Sequence, residues 1–214
     1  MTARSYRIGS GLRRLLLCFG MALLTLPALA TTLEAPQQVI KGVSDQLMGI
    51  LRSDRQLLEK DPTYVYRVAE DVFSPHIDFD RVASLAMGRY WRRANAGQRA
   101  AFIREFKRLM LHTYATALRE LSDWEVTYTP LRMRPDQTEA VVRTQVNRDG
   151  GQPVDVEYRM HLRQGAWLAY DVKIEGISLI SNYRSSFTTV ARNKGIDGLI
   201  EELAAMNATR AESS

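Results

Sequence analysis

Hydrophobic positions recur every three or four residues through the first half of the chain and every second residue through much of the second half. Behind Pro36, Val39, Val43, Leu47, Ile50 and Leu51 form a helical stripe, with Lys41, Asp45 and Arg52 off it. Asp61-Pro62 reads as an N-cap followed by proline at the first helical position, with Tyr64, Val65, Val68 and Val72 as the apolar face behind it. Ser74-Pro75 stops that helix. Asp78 caps the next one, which carries Phe79, Val82, Leu85 and Ala86 and ends near Gly88. Asn95 and Gln98 have the spacing of a capping box. They open the longest helix, whose broad face holds Phe102, Phe106, Leu109, Met110, Thr113, Ala117, Leu118 and Leu121.

From about Trp124 the period changes to two. Val154, Val156, Tyr158, Met160 and Leu162 alternate with Asp155, Glu157, Arg159, His161 and Arg163, the pattern of a strand with one wet face. Leu168, Tyr170, Val172 and Ile174 repeat it against Ala169, Asp171, Lys173 and Glu175, and the runs 124–128 and 140–146 complete four strands. Short turns at Pro135-Asp136, Asp149-Gly150-Gly151 and Gln164-Gly165 favour consecutive antiparallel pairing. Helical patterns return at 179–192 and 197–206, punctuated by Gly195. The expected fold is α+β: a curved four-stranded antiparallel sheet packed against several helices, with an apolar cleft between sheet and helices. Helices occupy the chain to about residue 121, the sheet about 123–176 and the C-terminal helices about 178–206.

Charge adds a destination. The chain has 29 Lys+Arg against 24 Asp+Glu, a formal +5, but its first 30 residues hold Arg4, Arg7, Arg13 and Arg14 and no acid. Those arginines precede an apolar run from Leu15 to Leu26 and then Ala28-Leu29-Ala30, the layout of a secretory signal peptide cleaved after Ala30. Residues 31–214 then form a single domain with 25 basic and 24 acidic residues, a net +1 that disfavours nucleic acid. An uncleaved membrane anchor is the competing reading, because Leu15 to Leu33 carries no charge, and Pro27 and the Ala-x-Ala pattern oppose it. Lipidation of Cys18 is disfavoured by Leu17 before it, and the export route stays open. Cys18 is the single cysteine and leaves with the signal, so the mature domain has no disulfide, thiolate chemistry or cysteine-bound metal.

A catalytic apparatus is hard to assemble from the remaining residues. His76, His112 and His161 are far apart in sequence and give no metal-ligand spacing. Asp71, His76, Asp78 and Asp80 form the densest polar cluster, readable as a base with an orienting carboxylate or, more simply, as a loop with an N-cap at Asp78. His161 reads as a surface histidine on the wet face of its strand. Gly176-Ile177-Ser178 begins like a nucleophile elbow but Ile180 stands where the last glycine is needed, and no glycine-rich phosphate loop is present. The expectation is a protein that is not an enzyme and needs no cofactor or metal. Arg89-Tyr90-Trp91-Arg92-Arg93 interleaves basic and aromatic residues: Arg89, Arg92 and Arg93 would touch an anionic head group or a negatively charged partner, or the rings seal the core while the arginines stay wet.

The run from Leu85 to Ala94 (Leu-Ala-Met-Gly-Arg-Tyr-Trp-Arg-Arg-Ala), followed by Gln98-Arg99, Phe102, Phe106 and Tyr114, resembles the helical signature of the MlaC/toluene-tolerance family of periplasmic phospholipid-binding transport proteins. A second block, Trp167 through Asp171, Glu175-Gly176 and Ser178, then Asn182-Tyr183-Arg184, Phe187 and Gly195-Ile196-Asp197-Gly198-Leu199, resembles it more specifically. Ala86-Met87 departs from the family's commoner branched residue and leucine before the glycine. The likeness spans about Pro36 to Met206 and does not separate phospholipid carriers from hopanoid-associated relatives.

The resemblance implies a soluble carrier that moves phospholipid across the periplasm between an outer-membrane lipoprotein and porin complex and an inner-membrane ABC transporter, maintaining outer-membrane lipid asymmetry. Under that reading Val154, Val156, Tyr158, Met160, Leu168, Tyr170, Val172 and Ile174 form one wall of a lipid cleft, faced from the long helix by Phe102, Phe106, Leu109, Met110 and Tyr114. The same residues would be core in a protein without a ligand. A chaperone for apolar polypeptides is the alternative from another class. Asp171 and Glu175, in the matched motif, are expected on the polar face of the last strand, with Arg184 within reach of either as a salt bridge, cap or docking contact.

Overall fold

The computed structural model describes residues 35–61, 63–118, 124–147 and 151–212. The segment read as a signal peptide, residues 1–30, lies outside the described residues, as do Pro62 and the expected end of the long helix at Leu121. Six helices, α1 (Ala35–Ser53), α2 (Arg55–Lys60), α3 (Tyr64–Phe73), α4 (Phe79–Met87), α5 (Ala96–Leu118) and α6 (Leu179–Glu212), flank a sheet of β1 (Glu125–Tyr128), β2 (Glu139–Asn147), β3 (Val154–Arg163), β4 (Ala166–Ile174) and β5 (Ile177–Ser178). No helix among the described residues is long and apolar enough to cross a membrane.

Local chemistry sets the boundaries. The Asp78 side chain accepts from the Arg81 N–H at 3.0 Å and starts α4, which ends where Gly88 turns to φ 55°. Asn95 and Gln98 exchange side-chain to backbone hydrogen bonds of 2.9 and 3.1 Å, the reciprocal capping box at the start of α5. Asp61 instead holds Thr63 through its N–H and hydroxyl, and α3 begins at Tyr64, two residues beyond the expected position. Helix α2 carries no hydrophobic periodicity long enough to be read from sequence.

The strands pair β1-β2-β3-β4-β5 as an antiparallel meander. The four expected strands are all present, and the fifth is a correction. Glu175 (φ 50°) and Gly176 (φ 77°) both take positive φ, as a type I′ turn requires, and fold the chain back so that Ile177 pairs with Ile174. Gln164 and Gly165 do the same between β3 and β4.

A second correction concerns the faces of β4. The β3–β4 register slips between Arg159, opposite Asp171, and Met160, opposite Ala169, leaving Tyr170 as the extra residue of a β-bulge. Val172 and Ile174 therefore share the apolar face with Tyr158 and Val156, whereas Leu168 pairs with His161 on the opposite face. The Tyr170 ring also lies on that face, edge-on to His161 with centroids 5.5 Å apart. Alternation across a bulge reverses, so Leu168 and Tyr170 leave the expected wall.

Three apolar clusters result among the described residues. Helices α4, α5 and α6 enclose Val82, Met87, Phe102, Phe106, Leu109, Phe187, Leu199 and Leu203, with Tyr170 as the buried sheet contribution. Helices α1, α2 and α3 meet α5 around Leu47, Leu51, Val65, Val72 and Ala115. Ile40 of α1 covers Ala140, Val142, Met160, Trp167 and Ala169 on the apolar sheet face. The expected opposition of the long helix to that face is thus not formed: α1 covers the strands, and Phe102, Phe106 and Leu109 pack against α4 and α6.

Candidate functional site

The apolar sheet face is built in cross-strand rows. Ala140, Met160 and Ala169 form the first; Val142, Tyr158 and Val172 the second; Thr144, Val156 and Ile174 the third; and Val146 with Val154 the fourth. Within the third row exposure rises toward the sheet edge, from Thr144 at 3% and Val156 at 8% to Ile174 at 37%, and Ile177, paired with Ile174, is 65% exposed. One end of the face is sealed under α1 and the other, at the β4–β5 turn, presents apolar side chains to the surface. Burial pushes the Tyr158 hydroxyl up to about 12, so at neutral pH the row carries no charge. Met110 packs on the edge of the α4–α5–α6 core, and Tyr114 on α5 is coupled to Tyr183 of α6, with burial first and Tyr183 second raising its pKa.

The opposite face of the sheet holds a charged network. Asp78, only 4% exposed, accepts from His161 Nε2 and from Arg163, each at 2.9 Å. Arg81 meets His161 Nδ1 at 2.8 Å and Glu139 at 2.7 Å, and its guanidinium stacks 3.8 Å from the Tyr170 ring centroid. Arginine has no acceptor, so His161 Nδ1 accepts and Nε2 carries the proton. Burial pushes the Asp78 carboxyl up, but the Arg81 N–H, Arg163 and His161 together outweigh it and hold its pKa below the usual range. His161 is therefore a half-buried tie between α4 and the sheet rather than a freely exposed surface histidine. Asp78 caps α4, as the simpler sequence reading has it, and joins residues more than eighty positions away, while Asp71 and Asp80 are exposed.

Asp171, Glu175 and Arg184 separate as well. Asp171 is buried and accepts from the Ser178 hydroxyl (3.0 and 2.8 Å) and the Ile180 N–H (3.3 Å), while Ser178 Oγ accepts from Ser181 N–H and caps α6. Glu175 accepts from the Asp155 N–H at 2.6 Å. Arg184 donates its Nε to the Leu85 carbonyl at 2.6 Å, closing the C-terminal end of α4. It contacts neither expected carboxylate, because α6 leaves the sheet in the direction of α4.

Two concavities are lined by other residues. One, of about 330 Å³, lies between α3 and α5 around Tyr66, Glu70, Arg104, Lys107, Arg108, Leu111 and His112. Tyr66 and His112 stack there at 4.3 Å, and burial together with Arg108 and Arg210 lowers the His112 pKa. The other, of about 510 Å³, is formed by Arg89, Tyr90 and Arg93 with Ala191, Arg192, Gly195 and Ile196 of α6. Arg92 is exposed and does not line it.

Residues 41–205 match the family model described as MlaC protein. The chain belongs to the MlaC family. Among curated proteins it is 27% identical to the toluene tolerance protein Ttg2D of Pseudomonas putida, with 80% of each chain covered. It is 23% identical to the intermembrane phospholipid transport system binding protein MlaC of Haemophilus influenzae, with 85% of each covered. A phospholipid-binding protein from Ralstonia solanacearum, solved in complex with a phospholipid, superposes with a TM-score of 0.77 at 32% identity, over 83% of this chain and 99% of that one. This MlaC-family chain therefore carries the fold expected from its two motifs. The Arg192 and Gly195 contribution to the basic pocket was not legible in those motifs, because it depends on how α6 packs against the turn after α4. The bulge that turns Tyr170 away from the apolar face has no sequence signal in a single chain.

Proposed function

We propose that the mature chain, residues 31–214 after cleavage behind Ala30, is a periplasmic phospholipid carrier working between an outer-membrane lipoprotein and porin complex and an inner-membrane ABC transporter, and so maintains outer-membrane lipid asymmetry. The observation that carries this reading is the phospholipid complex of the Ralstonia solanacearum protein, whose chain is covered almost completely at 32% identity. The need for a carrier is physical. Each methylene exposed to water costs about 0.8 kcal/mol, so a diacyl lipid with about thirty methylenes would lose on the order of 20 kcal/mol if released unaccompanied.

The apolar sheet face supplies the chemistry for holding those chains. Val154, Val156, Tyr158, Met160, Val172 and Ile174 offer an uncharged wall that is covered at one end and open at the β4–β5 turn. The Phe102, Phe106, Leu109 and Met110 side chains form the interior against which α6 packs, and Tyr114 meets Tyr183 of α6. They would line a cleft only through a displacement of helices, because packed cores leave few voids of lipid size. Nothing in the charged network presents a reacting geometry: each polar group of Asp78, His161 and Arg81 is used in the fold, and the reading is of a binding protein rather than an enzyme.

Native purification of residues 31–214 followed by mass spectrometry of the bound lipid tests the proposal. Stoichiometric glycerophospholipid is expected. Protein that emerges free of lipid, and does not extract it from vesicles, would overturn the reading; co-purifying unfolded polypeptide instead would favour a chaperone.

A further inference from the structure

The pocket of about 510 Å³ between the turn after α4 and the kink of α6 is lined by three arginines and no acid. Five arginines elsewhere in the fold, Arg67, Arg81, Arg104, Arg143 and Arg163, each pair with a carboxylate, and Arg99 and Arg184 donate to backbone carbonyls. Arg89, Arg93 and Arg192 line the pocket and pair with no carboxylate among the described residues. The acid nearest in sequence to the pocket's α6 wall, Asp197, is occupied in accepting from Gln98 Nε2 at 2.8 Å.

Two of the three guanidinium groups are held beside Tyr90. Tyr90, 7% exposed, takes a hydrogen bond from Arg89 at 3.1 Å through its hydroxyl, and the Arg89 and Arg93 guanidinium carbons stand 5.1 and 5.9 Å from its ring centroid. The Arg93 N–H is tied to the Tyr90 carbonyl at 3.0 Å. Gly195 at φ 75°, ψ −177° breaks α6 on the opposite side, leaving a wall without a side chain beside Arg192. The three guanidinium groups are exposed, so water screens their mutual repulsion, and an anion placed among them would be attracted by all three. Their planar donor forks match phosphate oxygens better than a lysine cluster would.

We propose that Arg89, Arg93 and Arg192 form a binding site for a phosphate group, presented by the head group of an anionic glycerophospholipid. This rests on the lipid-carrier reading for the source of the phosphate, while the site's affinity for phosphate stands on the arginines alone. Arg92, between two of them in sequence, is outside the site. The pocket thus selects two of the three arginines of the basic turn and adds one from a hundred residues away.

The test compares the full mature chain with Arg93→Gln/Arg192→Gln, single Arg192→Gln and Arg92→Gln, using two probes: inorganic phosphate by calorimetry, and co-sedimentation with phosphatidylglycerol-containing or pure phosphatidylcholine vesicles. Phosphatidylglycerol binding is expected to weaken about tenfold in the pocket pair, severalfold in Arg192→Gln, and by under about twofold in Arg92→Gln. Inorganic phosphate binding that the pocket pair abolishes supports the site and, if vesicles are not bound, assigns free phosphate as the source. Wild type binding neither probe, or Arg92→Gln costing as much as the pocket pair, would overturn the proposal, the latter showing diffuse attraction in place of a site. Co-purifying lipid, measured on the same preparations, reports on the carrier reading separately: lipid-free protein that still loses phosphate binding in the pocket pair leaves the site and removes the carrier.

Discussion

His161 donates its Nε2 proton to the Asp78 carboxylate at 2.9 Å, joining β3 to the first residue before α4 across eighty-three positions of sequence. The carboxylate is at once an N-cap, a partner of His161 and a partner of Arg163. Replacing Asp78 by Ala removes all three roles and leaves a half-buried imidazole without its acceptor. Loss of about 3 kcal/mol of stability is expected, measured by denaturant unfolding at neutral pH. The pH dependence has a definite sign. Because the folded carboxyl titrates below its ordinary value near 3.9, its stabilisation is complete above that value and disappears as pH falls through the folded pKa. Wild type should lose stability from about pH 4 downward by a component that Asp78→Asn lacks; parallel curves for the two proteins would show that Asp78 is not the titrating group.

Asp171 and Glu175 lie four residues apart in one motif, and the structure gives them different work. Asp171 is buried against the start of α6, whereas Glu175 is exposed and serves one backbone N–H. Asp171→Ala is expected to cost about 2 kcal/mol, with the loss visible as fraying of α6 in amide exchange. Glu175→Gln should stay within about 0.5 kcal/mol of wild type. Equal costs would mean that the two acids act as a pair.

Helix boundaries and strand order were legible because each rests on local chemistry: Asp78, Gly88, Asn95 with Gln98, and the turns at Gln164-Gly165 act over a few residues. The interior of the site was legible only in part. Val156, Met160 and Val172 alternate as a strand must and fall on one face, but Tyr170 and Leu168 do not, since a bulge shifts the register without changing composition. Which helix covers that face is a long-range outcome, and α1 was indistinguishable from α5 by periodicity. The pocket failed for the same reason: Arg89 and Arg93 are readable as a cluster, while Arg192 joins them through the packing of α6.

Gly195 is required by its backbone. At φ 75° and ψ −177° it occupies a region that a side chain makes unfavourable, and space beside it is open, so any penalty for substitution comes from the dihedral rather than a clash. Gly195→Ala should destabilise by about 1–3 kcal/mol or straighten α6. Calorimetric unfolding measures the first; the second would displace Arg192 and weaken phosphate binding without altering any arginine. A variant with unchanged stability and unchanged phosphate affinity would show that the kink is not enforced by this residue.

Val156 lies at the point where the apolar face passes from covered to open, in the row with Thr144 and Ile174. Tryptophan there adds bulk on the side where a lipid chain would lie, at a cost of about 1–3 kcal/mol for overpacking, which a domain of typical stability survives. If acyl chains rest on this face, Val156→Trp should co-purify with at least a severalfold lower lipid content while retaining a cooperative unfolding transition. Val141→Trp, on the opposite face of β2, supplies a control of equal bulk that should keep its lipid. Because apolar contacts read chain length and unsaturation but not head-group identity, the lipids lost from Val156→Trp should fall in proportion across head groups. Selective loss of anionic species would instead place the effect at the arginine pocket, and undiminished lipid in a folded Val156→Trp protein would remove this face from the site.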